Sequence, residues 1–144
     1  MKQKILILNG PNLNLLGERE PGIYGSATMG EVLAALENAY PEAEILYFQS
    51  NHEGALIDRL QAARTDGTVG VAFNAGAYTH TSIALADCIR SLACPVVEVH
   101  ISNVHAREEI RHRSLIAPAC KGTIAGFGTD SYRLAVDALL HAEK

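Results

Sequence analysis

Five short, largely apolar runs alternate with amphipathic stretches along this chain: Ile5–Asn9, Glu44–Gln49, Val69–Asn74, Pro95–His100 and Thr123–Ala125. No other feature limits the possible folds so sharply. Runs this short suit strands buried on both faces rather than helices. The intervening stretches carry helix signals. Thr28-Met29-Gly30-Glu31 has the form of a capping box and opens a helix to Tyr40, which Pro41 closes. Ser50-Asn51-His52-Glu53 is box-like too and starts a helix to Arg64. Further helices are expected over His80–Leu92 and Asp130–Ala142, with a short one over His105–Arg113.

Strand–helix alternation of this kind builds βαβ units and a parallel sheet with helices on both faces. The expected fold is α/β, a flavodoxin-like three-layer sandwich with a five-stranded parallel sheet in the order 2-1-3-4-5. One domain over residues 1–144 accommodates it, and 48% hydrophobic residues are enough for a real core. In such sheets ligands collect at the carboxyl ends of strands 1 and 3, where the strand order reverses. That directs attention to Asn9–Ala27, Asn74–Thr81 and His100–Ala106.

Bulk properties exclude several classes of partner. The net charge of −4 leaves no electrostatic footprint for nucleic acid or an anionic membrane. Four of the twelve Lys and Arg residues nonetheless fall between Arg107 and Lys121, hinting at a local anion-binding patch. Cys88, Cys94 and Cys120 show neither C-x-x-C nor zinc spacing, so free thiols in a reducing cytoplasm are expected. The first apolar run, Ile5–Leu8, is too short for a signal peptide or a membrane span.

The segment after the first strand, "GPNLNLLGEREPGIYG", is unusual. A βα loop is normally two to six residues long, and this one runs to about 18. Its composition predicts neither helix nor strand. Pro11, Pro21 and the apolar Leu13, Leu15, Leu16 and Ile23 suit a loop that docks and orders. Arg19 and Tyr24 stand out within it. A tyrosine ordinarily titrates near pH 10 and is a poor base at neutral pH unless a cation lies close. Arg19, in the same loop, could supply one; a salt bridge to Glu18 or Glu20 is its simpler fate.

Strand 4 supplies a second pair. Alternation places Glu98, His100 and Ser102 on one side, so that the carboxylate can orient the imidazole for proton transfer. After strand 3, Asn74-Ala75-Gly76-Ala77-Tyr78-Thr79-His80 is a small-residue turn that lets a ligand approach the backbone, with Asn74 and His80 as hydrogen-bonding groups. Asp87, seven residues beyond His80 on the expected helix, lies about two turns away, too far to share one small ligand. Arg107 and Arg111, four apart on the short helix with Glu108 and Glu109, have the pattern of an ion-paired surface. Nucleotide-binding and hydrolase signatures are missing: there is no G-x-G-x-x-G, no P-loop and no G-x-S-x-G. Glu98, His100 and His105 are the best metal ligands on offer, but the turn after the strand aims His105 elsewhere.

"NGPNLNLLGEREPGIYG" (Asn9–Gly25), "QSNHEG" (Gln49–Gly54), "NAGAYTHTSIAL" (Asn74–Leu85) and "VEVHISNVHAREEIRHRS" (Val97–Ser114) occur in this order. Together they resemble type II 3-dehydroquinate dehydratase over essentially the whole chain. Departures are slight: Gln61 stands where a His is common, and Ser131 where Gly often precedes Tyr132. The resemblance implies anti elimination of water from 3-dehydroquinate through an enolate, giving 3-dehydroshikimate, without metal or organic cofactor. It implies Tyr24 as the base, Arg19 as the cation that keeps it ionised, and His100 as the acid, oriented by Glu98. Asn12 would hold the water or enolate oxygen. Asn74, His80 and Arg111 would grip substrate hydroxyls, and the N–H groups of Ile101 and Ser102 the carboxylate. Asp87 would complete a neighbouring subunit's site across a trimer interface, within a dodecamer of four trimers.

The chemistry agrees with that set. A proton next to a ketone needs both a positioned base and enolate stabilisation, and a loop that carries the base can close over substrate. A Schiff-base route would need a lysine, and Lys2, Lys4, Lys121 and Lys144 are all away from the expected pocket. Two other readings use some of the same residues. A non-catalytic flavodoxin-like module binding a small hydroxylated carboxylate would keep His80, Arg111 and the Ser102 turn but not need Tyr24 or Arg19. A hydrolase or isomerase of another hydroxylated acid would use the Glu98–His100 pair.

Overall fold

A computed structural model describes residues 1–18 and 20–142. Strands β1 (Gln3–Asn9), β2 (Ala43–Gln49), β3 (Thr68–Asn74), β4 (Val96–His100) and β5 (Gly122–Ala125) form one parallel sheet in the order β2-β1-β3-β4-β5. The expected topology is the one observed. Helices α1 (Pro21–Tyr24), α2 (Met29–Ala39), α3 (Glu53–Ala62), α4 (Ile83–Arg90) and α5 (Asp130–Leu140) connect and cover it. No helix among the described residues is long and apolar enough to cross a membrane.

The two faces follow from the two-residue period of a strand. In β1, Ile5 and Ile7 pack with Met29, Val32 and Leu36 of α2 and Tyr132, Ala135, Val136 and Leu139 of α5. Leu6 and Leu8 point the other way, onto Leu56 and Leu60 of α3 and Leu85 and Ile89 of α4. All four β1 side chains are fully buried. An unbroken apolar run is what a central strand of a three-layer sandwich requires.

Helix starts differ from expectation in three places. The box at Ser50–Glu53 does not form: Ser50 Oγ accepts the His52 N–H at 3.0 Å, a local turn, and α3 begins only at Glu53. The Glu53 carboxylate takes the Ser82 hydroxyl instead of reaching back to its own cap. Ser82 in turn caps α4, accepting the Leu85 N–H at 2.9 Å. His80 therefore belongs to a separate 3-10 turn, Gly76–His80, and shares no helical face with Asp87. The helix expected over His105–Arg113 is two 3-10 turns, Val104–Ala106 and Glu109–Arg111, with Arg107 extended between them. That segment has no apolar stripe to hold a helix down: Val104 is buried, but Ile110 is 73% exposed.

The long segment after β1 is also more regular than its composition suggests. Leu13–Leu15 makes a 3-10 turn, and Pro21–Tyr24 makes one α-helical turn with proline at its start, where its missing N–H is harmless. Leu13, Leu16 and Tyr24 are buried in the α2/α5 core, so the segment docks, while Leu15 and Ile23 stay exposed.

Candidate active site

The carboxyl ends of β1 and β3 lie side by side, with Asn9 paired to Asn74 in the ladder. Past the ladder the Gly10 N–H donates to the Asn74 carbonyl at 2.7 Å. A Cβ on Gly10 would sit 2.5 Å from the Ala75 carbonyl oxygen, so only glycine allows the two loops to run this close. Gly76, at φ +60°, turns the β3 loop away beside Pro11. Asn12 also adopts a left-handed conformation (φ 69°), held by the Asn51 side chain, whose Oδ1 accepts the Asn12 N–H at 3.0 Å.

An open cleft occupies the switch point. Asn12, Tyr24, Asn74, His80, His100, Ile101, Ser102 and Arg111 line it, drawn from the ends of β3 and β4 and from the segments that follow β1, β3 and β4. On its floor His100 Nε2 is 2.6 Å from Glu98 Oε2, and Ser114 Oγ donates to Glu98 Oε1 at 2.7 Å. Both residues of the pair are at least 95% buried. A carboxylate can only accept, so Nε2 carries a proton toward Glu98 and Nδ1 is the nitrogen left for the ligand side. The ring is further fixed by His80, nearly parallel to it at 6.3 Å between centroids. His80 is itself held at Nδ1 by the Arg113 carbonyl, 2.8 Å away.

Tyr24 lines the same cleft. Arg107 Nη1 donates to its hydroxyl at 3.0 Å and lies 3.4 Å from Ser102 Oγ. The guanidinium carbon is 5.5 Å from the Tyr24 ring centroid. Arg107 keeps the expected acidic partner, its Nε 3.8 Å from Glu108 Oε1, but it lines the cleft instead of standing on a helical surface. Without a helix the i,i+4 geometry disappears, and extended backbone at Arg107 swings the side chain inward to 14% exposure. Only the cation-rich run from Arg107 to Lys121 foreshadowed this. Arg111 keeps a partner in Glu108, with Nε to Oε2 at 3.0 Å, while lining the cleft.

Other expected residues stand apart. The Asp87 carboxylate is 72% exposed, 3.7 Å from Arg90, and does not line the cleft. Arg19 and Lys144 lie outside the described residues. Lys4 donates to the Asp66 carbonyl near the opposite end of the sheet. His105 packs against His112 rather than beside Glu98 and His100. Among the described residues no three His, Cys, Asp or Glu side chains converge where a metal ion could sit. Cys120, pushed up to about 12 by burial and by the Glu98 charge, stays a thiol rather than a nucleophile.

The cleft holds both a tyrosine next to a cation and a carboxylate-oriented histidine. That arrangement can remove a proton at one carbon and deliver one to a leaving oxygen.

Comparison with known proteins gives this chemistry a context. Residues 3–140 match the family model described as dehydroquinase class II. A protein of Rhizobium etli (strain CIAT 652), 61% identical over 141 residues, is named 3-dehydroquinate dehydratase; the match covers 96% of this chain and 97% of that one. One from Chlorobaculum tepidum, with the same name, is 55% identical over 137 residues, covering 94% and 93%. The crystal structure of a type II dehydroquinase from Butyrivibrio crossotus DSM 2876 superposes with a TM-score of 0.93 at 45% identity, covering 96% of this chain and 98% of that one.

Proposed function

The chain belongs to the class II dehydroquinase family, and from that premise we propose how its residues carry out the reaction. It dehydrates 3-dehydroquinate to 3-dehydroshikimate, a hydro-lyase step of the shikimate pathway, and residues 1–144 act as one catalytic domain. The observation that carries the mechanism is that the Tyr24–Arg107 pair and the His100–Glu98 pair meet in one cleft.

Tyr24, as phenolate, removes the proton on the carbon next to the ketone, and the electron pair moves into an enolate. Arg107, donating at 3.0 Å, offsets the negative charge on the Tyr24 oxygen before the proton arrives. Arg19 is assigned the same task from the family resemblance. Asn12 holds the enolate oxygen or a bound water. The enolate then reforms its carbonyl, the new carbon–carbon double bond forms, and the carbon–oxygen bond to the hydroxyl breaks. His100, carrying a proton on each ring nitrogen, gives the Nδ1 proton to that departing oxygen, leaving water, while Nε2 stays bound to Glu98, which stabilises and orients the ring.

Asn74, His80 and Arg111 take the substrate hydroxyls, and the N–H groups of Ile101 and Ser102 the carboxylate. Arg107 Nε sits 3.8 Å from Glu108 Oε1, so the Glu108 carboxylate helps to hold the guanidinium over Tyr24. Asp87 serves a neighbouring subunit. Its exposure supports this, as does Ile83, four residues earlier on the same face of α4 and 69% exposed. Four trimers then form a dodecamer, and the enzyme works in the cytoplasm.

The test is turnover. Purified protein mixed with 3-dehydroquinate should produce the absorbance of a conjugated enone, unaffected by borohydride. Folded protein that forms no enone would overturn the reading.

A further inference from the structure

The hydrogen bonds around Asn74 run in one direction, and their origin lies outside the residues assigned to the reaction above. The Gly76 N–H donates to Asn74 Oδ1 at 3.2 Å. This pins the amide: turned over, it would set an N–H against an N–H. Asn74 Nδ2 therefore faces Tyr132 and donates to its hydroxyl at 3.0 Å. Tyr132 passes its own proton on to Asn9 Oδ1 at 2.8 Å. Asn9 Oδ1 accepts at the far end, so the direction of the chain is set from the Gly76 end.

Tyr132 sits on α5, fully buried, with Asn9 and Asn74 at 0% and 4% exposure. Burial raises its pKa well above that of an ordinary tyrosine, so the hydroxyl stays protonated throughout the working range. An amide nitrogen carries two hydrogens. One of those on Asn74 goes to Tyr132, and the other is left for the cleft that Asn74 lines.

We propose that Tyr132 is a positioning residue for the dehydratase reaction: its hydroxyl locks the Asn74 amide so that an N–H, never the carbonyl, faces the substrate. The ligand atom at this point must then be a lone-pair acceptor, such as a hydroxyl oxygen, and a donor-only group is refused. The proposal rests on the assignment of Asn74 as a substrate-binding residue. It adds α5, which contributes no wall of the cleft, to the determinants of specificity.

A double-mutant cycle tests it, with KM and kcat for 3-dehydroquinate measured in Tyr132→Phe, Asn74→Ala and the pair. The substitution Tyr132→Phe keeps the ring and removes only the hydroxyl. It should raise KM by about tenfold, with a smaller effect on kcat, as expected for losing the preorganisation of one hydrogen bond. In the Asn74→Ala background the same change should move KM by less than about twofold, because the group it orients is gone. Equal losses in both backgrounds would show that Tyr132 only supports the fold, and overturn the proposal. So would a Tyr132→Phe enzyme with wild-type KM. If that variant does not fold, Asn74→Asp gives the answer, since it puts an acceptor where the amide nitrogen stands. Its KM should rise at least as far, and a wild-type KM would overturn the proposal. A wild-type protein without dehydratase activity would instead fault the functional reading itself.

Discussion

Arg107 Nη1 lies 3.0 Å from the Tyr24 hydroxyl and 3.4 Å from Ser102 Oγ, and a planar, forked cation fixes where such an oxygen points. A lysine keeps the charge but loses the fork. Arg107→Lys should therefore lower kcat by about ten- to a hundredfold, with a smaller change in KM. Steady-state kinetics on 3-dehydroquinate measure this, and an unchanged kcat would remove Arg107 from the base's environment. The sequence revealed the other pair directly, because strand alternation alone puts Glu98 beside His100. It concealed Arg107, because the contact with Tyr24 spans 83 positions and depends on a helix that does not form. Long-range contacts through irregular backbone leave no periodic trace.

Element boundaries show the same contrast. The capping box at Thr28 forms as written, with the Glu31 N–H donating to Thr28 Oγ1 at 3.2 Å and the Thr28 N–H to Glu31 at 3.3 Å. At Ser50 the same pattern fails, because Glu53 has a better partner in Ser82, 29 residues away. A local motif decides an element only where no tertiary partner competes for its side chains. Between α3 and β3, Asp66 makes a comparable tertiary link. Its carboxylate accepts from the Thr68 N–H at 2.9 Å, the Thr68 hydroxyl at 2.6 Å and Arg59 at 3.2 Å. Partial burial raises its pKa, but the Thr68 hydrogen bonds and the Arg59 charge outweigh that and hold it below the ordinary carboxylate value. A group whose folded pKa is depressed contributes stability above its unfolded pKa, near 4, and loses that contribution as pH falls through the folded value. Asp66→Asn should cost about 1–2 kcal/mol at pH 7, and the difference from wild type should close in acid. Urea unfolding at pH 7 and at pH 3 checks this; a gap that is equal at both values would contradict it.

At the scale of the whole molecule the architecture was legible and the assembly was not. Apolar runs such as Ile5–Leu8 fix strands, and their uninterrupted character fixes a sheet covered on both faces. From there the switch point, and hence the cleft, follows from topology. Asp87 marks the limit of that logic. Nothing in one chain's geometry gives it a role, and its carboxylate points to solvent beside Arg90. If it completes a neighbour's site, the active particle is an oligomer. Light scattering on active protein should then give a mass about twelve times that of the 15.4 kDa chain. A fully active monomer would contradict this.

If Tyr24 removes the substrate proton, its hydroxyl matters for turnover and little for binding. Enone formation from 3-dehydroquinate, measured for wild type and Tyr24→Phe side by side with ligand binding by calorimetry, separates the two. The variant should lose turnover by about a thousandfold or more while its affinity for the substrate changes little. A Tyr24→Phe enzyme that works at close to the wild-type rate would contradict it.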